Sequence, residues 1–241
     1  MTRYRLSQST LAGRTGRGVR IAVIDSGVHG GHPHIGRIAG GAAFDDHGRS
    51  IEDVVDRLGH GTAVAAAIHE KAPEAELLAV KVFDRALAST GRALEAAIGW
   101  AATSGAALVN LSLGTTNVNH RDALERAVRQ AAAAGAVVVA AAPDADHEWL
   151  PGRLPGVVSV SLDWECARDS CDVAIDRDGH VRIHASGYPR PIPGVPPERN
   201  VKGQSFAVAN ATGLIALASE GVRLRSIADL VGAIERRATQ G

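Results

Sequence analysis

The chain has 241 residues, 45% hydrophobic but only 3% aromatic, so a sizeable core has to be built from Ala, Val, Leu and Ile. Its 26 basic and 26 acidic side chains balance, which argues against nucleic acid or an anionic membrane as a partner, and no apolar run approaches a membrane span. Two cysteines are too few for a disulfide scaffold.

Residues 1–18 are basic and polar without an apolar signal-like region, and read as an N-terminal arm or short first turn. Residues 19–24, VRIAVI, form a β-branched run of the kind buried in a parallel sheet, and it ends at Asp25-Ser26-Gly27. Asp25 therefore stands at the carboxyl end of a strand, where open α/β sheets gather ligands and catalytic groups; an Asx-turn is its ordinary structural role. Residues 40–59 are polar and Asp-rich, a loop with a short strand. The acids Asp45, Asp46, Glu52, Asp53 and Asp56 read most simply as a solvated loop, with a place beside a cleft that prefers basic residues as the alternative, and His29, His32 and His34 as local turn packing.

Gly59-His60-Gly61 then opens an Ala-rich helix, so the helix fixes the direction of the imidazole. A cap or a satisfied surface group is the usual role of one such histidine. Further strands are expected at 77–83, 107–114, 136–142 and 157–160, with helices at 90–104 and 122–134 between them. The alternation predicts an α/β fold, a doubly wound and mostly parallel sheet flanked by helices, with residues 19–241 as a single domain. A Pro-rich loop at 188–197 leads to Gly203-Gln204-Ser205, where a small-residue turn feeds another helix. Ser205 is there either an N-cap or a nucleophile whose oxyanion would meet free backbone N–H groups.

Together, VIDSGV around Asp25, GHGTAVA around His60 and GQSFAVANATG around Ser205 stand in the order Asp, His, Ser. With the strand LVNLSLG, they resemble the subtilisin-like serine peptidases (subtilases) from Val19 to about Ala218. The resemblance implies a catalytic triad of Asp25, His60 and Ser205. It also implies substrate pairing along Ser112, Leu113 and Gly114, with Ser89, Thr90 and Gly91 as the opposite wall of the cleft. The expected partner is a peptide or protein substrate, with no cofactor; oligomeric state stays open.

Three departures accompany the likeness. The oxyanion hole of the family pairs the serine amide with an asparagine side chain, whereas AVVVAAAPD places Asp144 there, after Pro143. Either Asp144 is protonated and donates, or the hole rests on the Ser205 amide and the helix terminus. Between Ile68 and Leu77 the chain has only HEKAPEAE, too short for the roughly 6–8 oxygen ligands of a calcium site, so no metal is expected there. Little precedes the first strand, so no propeptide is expected and a cytoplasmic enzyme is. The run Cys166, Cys171, His180 and His184 has loosely metal-like spacing, but free thiols or a local disulfide suit it better than zinc.

Overall fold

The computed structural model describes residues 1–143 and 149–240, with backbone only at 198 and 240. Its elements are β1 (Thr2–Ser7), β2 (Arg20–Asp25), β3 (Ile38–Phe44), β4 (Ser50–Ile51), α1 (His60–Lys71) and β5 (Glu76–Lys81). There follow α2 (Gly91–Thr103), β6 (Leu108–Leu111), α3 (Arg121–Ala133), β7 (Val137–Ala141) and β8 (Val157–Leu162). The last are β9 (Ser170–Ile175), β10 (Val181–Ala185), α4 (Gln204–Ser219), α5 (Ile227–Glu235) and β11 (Thr239–Gln240).

Among the described residues these strands make one sheet in the order β11-β1-β9-β10-β8-β7-β6-β2-β5-β3-β4. Its centre, from β3 to β10, is parallel throughout. Antiparallel pairs close both edges.

Side-chain alternation along the central strands divides the core in two. Ile21 and Val23, with Leu108, Val137 and Val139, pack on one face against α1, α4 and α5. Ala22 and Ile24, with Val109 and Val138, pack on the other against α2 and α3. No aromatic layer is needed, because Ala-rich helices lie close to a Val/Ile sheet. Helix α4 is the centre of the first layer: every residue from Phe206 to Ser219 is buried, so it is apolar all round rather than on one stripe. Among the described residues no helix is long and apolar enough to cross a membrane.

The N-terminal segment differs from the expected arm. In TRYRLS, Tyr4 and Leu6 point into the core while Arg3 and Arg5 point out, and the strand pairs with β9 in the register Tyr4↔Val173 and Leu6↔Cys171. The basic residues that suggested a solvated arm are the outward half of a strand. Strand β9, also absent from the sequence reading, buries Cys171, Val173 and Ile175 by the same alternation.

Cys166 and Cys171 are free, buried thiols whose pKa values burial pushes up. His184 lies with Arg182 on the exposed face of β10. Among the described residues no group of three or more His, Cys, Asp or Glu could hold a metal ion.

Candidate active site

Strand alternation decides where Asp25 points. Counting on from Ile21 and Val23, it falls on the α1/α4 face, at the carboxyl end of β2. Its side chain is fully buried. Oδ1 accepts the Ser26 amide at 2.7 Å and faces His60 Nδ1 at 2.8 Å. The imidazole is mostly buried too, 16% exposed, and lies 5.8 Å from the Phe206 ring, centroid to centroid. Burial alone would push the His60 pKa down, but the Asp25 hydrogen bond and the charges of Asp25 and Asp56 outweigh it and hold the value above normal.

Glycine lets the two carriers approach. A Cβ on Gly61 would stand 2.2 Å from the Gly27 carbonyl oxygen and 3.1 Å from Asp25 Cβ, so no other residue fits beside the strand end. Gly203, the residue before α4, has φ 146°, a backbone region that side-chain-bearing residues avoid. That turn sets Ser205 in the first turn of α4. The hydrogen bonds of the helix begin with the Phe206 amide on Gly203 O at 3.0 Å, leaving the Ser205 amide ahead of them.

Asp56 is a functional residue that the sequence reading placed on a solvated surface; the structure corrects this. Its Oδ1 accepts Ser26 Oγ at 2.8 Å, Leu58 N at 3.0 Å and Gly59 N at 2.8 Å. Its Oδ2 accepts Thr62 N at 2.9 Å and Thr62 Oγ1 at 2.5 Å. Ser26 Oγ in turn accepts the Gly61 amide at 2.9 Å. One carboxylate thus satisfies the first turn of α1 and ties it to the residue after Asp25. Burial opposes its ionisation, but the bonds from Thr62, Ser26 and Gly59 prevail and lower its pKa.

We expect Asp56→Ala to cost about 1–3 kcal/mol in urea unfolding, through orphaned donors. It should also shift the acid limb of kcat/KM to lower pH, because a charge that raises His60 is lost. A limb that stays in place would remove Asp56 from the electrostatics of the site. The carboxylate's stabilising effect is complete above its unfolded pKa of about 3.9 and fades as pH falls through the lower folded value.

The end of β6 meets the start of α4 through two reciprocal bonds. Ser205 Oγ donates to Ser112 O at 3.2 Å, and Ser112 Oγ donates to Ser205 O at 3.3 Å. Behind them Asn110 Nδ2 donates to Ser112 Oγ at 2.9 Å, and Asn110 Oδ1 accepts Thr212 Oγ1 from α4 at 2.9 Å. Asn110 and Thr212 are fully buried, so this network fixes the helix that carries Ser205 against the sheet.

Ser112, Leu113 and Gly114 line a cavity of about 480 Å³ together with Pro143, Trp149 and Gln204. Ser89, Thr90 and Gly91 do not line it: Thr90 caps α2, accepting Ala93 N at 3.2 Å, and Gly91 packs against the His120 ring. Asp144, the expected partner of the Ser205 amide in an oxyanion hole, lies outside the described residues.

Comparisons with known proteins bear on the family and the fold. The family model for subtilases matches residues 16–162. A thermostable alkaline protease of Halalkalibacterium halodurans is 34% identical over 218 residues, 83% of this chain and 54% of that protein. Thermitase of Thermoactinomyces vulgaris is 38% identical over 143 residues, 55% of this chain and 50% of that protein. The chain thus spans about half the length of each. Among solved structures, a cold-adapted subtilisin-like serine proteinase superposes with a TM-score of 0.69 at 24% identity, covering 92% of this chain and 82% of the other. The fold is therefore subtilisin-like, and with more than half of its residues matched by the family model, this chain belongs to the subtilase family.

Proposed function

We propose that the chain is a serine endopeptidase acting through Asp25, His60 and Ser205, in limited processing of a peptide or protein substrate. The observation that carries this reading is the 2.8 Å contact of His60 Nδ1 with the fully buried Asp25 carboxylate, beside a helix whose first turn bears Ser205. Asp25 accepts the Nδ1 proton and so leaves the Nε2 lone pair to act as base. In this structure the Ser205 hydroxyl donates to Ser112 O, and the reaction requires it to turn to the imidazole instead. His60 takes the Ser205 proton as Oγ attacks the scissile carbonyl, then delivers it to the leaving amine. The acyl-enzyme is hydrolysed by water with the same base. The backbone at Ser112–Gly114 supports pairing with an extended substrate, and the cavity beside it offers room for a substrate side chain. A cytoplasmic setting belongs to the same proposal and is supported by the two free thiols.

A second reading, a peptide-binding protein of weak or no activity, is favoured by the aspartate at 144, since an ionised carboxylate there would repel the oxyanion. A fluorophosphonate probe separates the two without knowledge of the substrate. Rapid labelling of the native chain, absent in Ser205→Ala, is the expected result; a folded chain that takes up no label would leave only the second reading.

A further inference from the structure

A second cavity, of about 610 Å³, lies at the start of α1. It borders Gly59, which precedes His60, and Thr62 in the first turn of α1, and another wall is the Pro-rich loop carrying Arg190 and Ile192. The two cavities share no lining residue. In the proposed reaction the acyl half of the substrate is bonded to Ser205, while the leaving amine takes its proton from His60. The chain beyond the cut must therefore depart past the imidazole, toward this second cavity.

Arg190 brings a guanidinium to the lining of this cavity. The Arg190 guanidinium is half-buried, and Nη1 donates to His34 O at 3.3 Å. Among the described residues no carboxylate pairs with it. Among the described residues Asp56 is the carboxylate lining this cavity, and five donors already occupy its oxygens. His29, His32 and His34 add ring nitrogens to the lining. Burial and then the Arg190 charge hold the His34 pKa below normal, and while the Asp56 anion is taken up by its own donors, Arg190 brings a positive charge with no acidic partner among the described residues. The guanidinium is also held in place by its backbone. Asn210 Nδ2, on α4, donates to Ser186 O at 2.7 Å and Tyr188 O at 3.0 Å, and Asn200 Nδ2 donates to Arg190 O at 3.3 Å. Pro189, Ile192 and Val201 supply apolar walls suited to an aliphatic stem.

We infer that this cavity is a specificity site that receives a carboxylate located shortly after the scissile bond, with Arg190 as its partner. The inference rests on the reading of the chain as a peptidase. An acidic side chain and the substrate's own C-terminus offer the same group, and an arginine fork binds either in the same way.

The test uses the full chain and a proteome-derived peptide library, followed by peptide pairs that differ only in Glu or Gln after the cut, each with a free or an amidated C-terminus. The readout is the ratio of kcat/KM within a pair, which does not depend on how much of a variant is folded. The native chain should prefer the carboxylate roughly tenfold. That ratio should fall toward one in Arg190→Gln, persist in Arg190→Lys, and shrink for the native chain in high salt. A preference set by Glu identifies the side chain as the source; one abolished by amidation identifies the terminus. A chain that cleaves both members of every pair alike, or whose preference survives Arg190→Gln, overturns this inference alone. A chain that cleaves no peptide overturns the peptidase reading and this inference with it.

Discussion

Replacing either Ser205 or His60 by alanine is expected to lower kcat by about 10⁶-fold, and replacing both to cost little more than either alone. That size comes from subtilisin, a member of the same family. The non-additivity follows from how the groups depend on one another. A serine hydroxyl is a poor nucleophile until a base takes its proton, and His60 has nothing to activate once Oγ is gone. The structure favours such dependence, because Ser205 and His60 are carried by two helices packed on the same face of the sheet. Steady-state kinetics on the two single variants and the double variant would check it. If the two losses multiplied, the residues would be acting separately and the triad would have to be abandoned.

The second large effect belongs to Asp25→Asn, for which we expect kcat to drop by about 10⁴-fold with the fold intact. Oδ1 of Asp25 already accepts the Ser26 amide and faces His60 Nδ1. An asparagine removes the anion that stabilises the imidazolium in either orientation, and the orientation that gives up the Ser26 bond also turns NH₂ toward Nδ1, which favours the tautomer with the proton on Nε2. That tautomer has no lone pair for Ser205. The pH profile gives a second readout. The base must be neutral to work, so activity rises as pH climbs through the His60 pKa, which the native site holds above the ordinary value of about 6.5. Removing the anion removes the largest raising influence, and the acid limb should move to lower pH. An acid limb unmoved or displaced upward would mean that Asp25 is not the electrostatic partner of His60.

How much of this could be read from sequence depended on whether the signal was local. Asp25, His60 and Ser205 each end a strand or open a helix, so their neighbours alone marked the motif, and the alternation of Ile21, Val23 and Asp25 fixed the face. Asp56 was illegible because its partners are set by folding: Ser26 is 30 residues away, and an acid-rich loop has the same composition whether or not it is solvated. Strand β1 was missed for a related reason. Two arginines stood out more than the Tyr4 and Leu6 between and beyond them, and the pairing partner lies in β9, far along the chain. Ser89, Thr90 and Gly91 matched only as small residues before a helix, a pattern that Thr90 meets fully as an N-cap. The Arg190 cavity needed the conformation of two loops, which no periodicity encodes.

The proline-rich stretch beside that cavity bears on self-digestion. Residues 191–197 are exposed, apart from the undescribed side chain at 198 beyond them, and they lie next to a site proposed to hydrolyse extended chains. A segment becomes prey in such a cleft by lying flat as a strand and offering N–H groups to the Ser112–Gly114 edge. Pro189, Pro191, Pro193, Pro196 and Pro197 have no N–H to offer, and their rings hold φ near −65°. One molecule therefore gains little purchase on this loop of another. Survival in concentrated solution is then set at exposed stretches elsewhere, and the wall that carries Arg190 outlasts them.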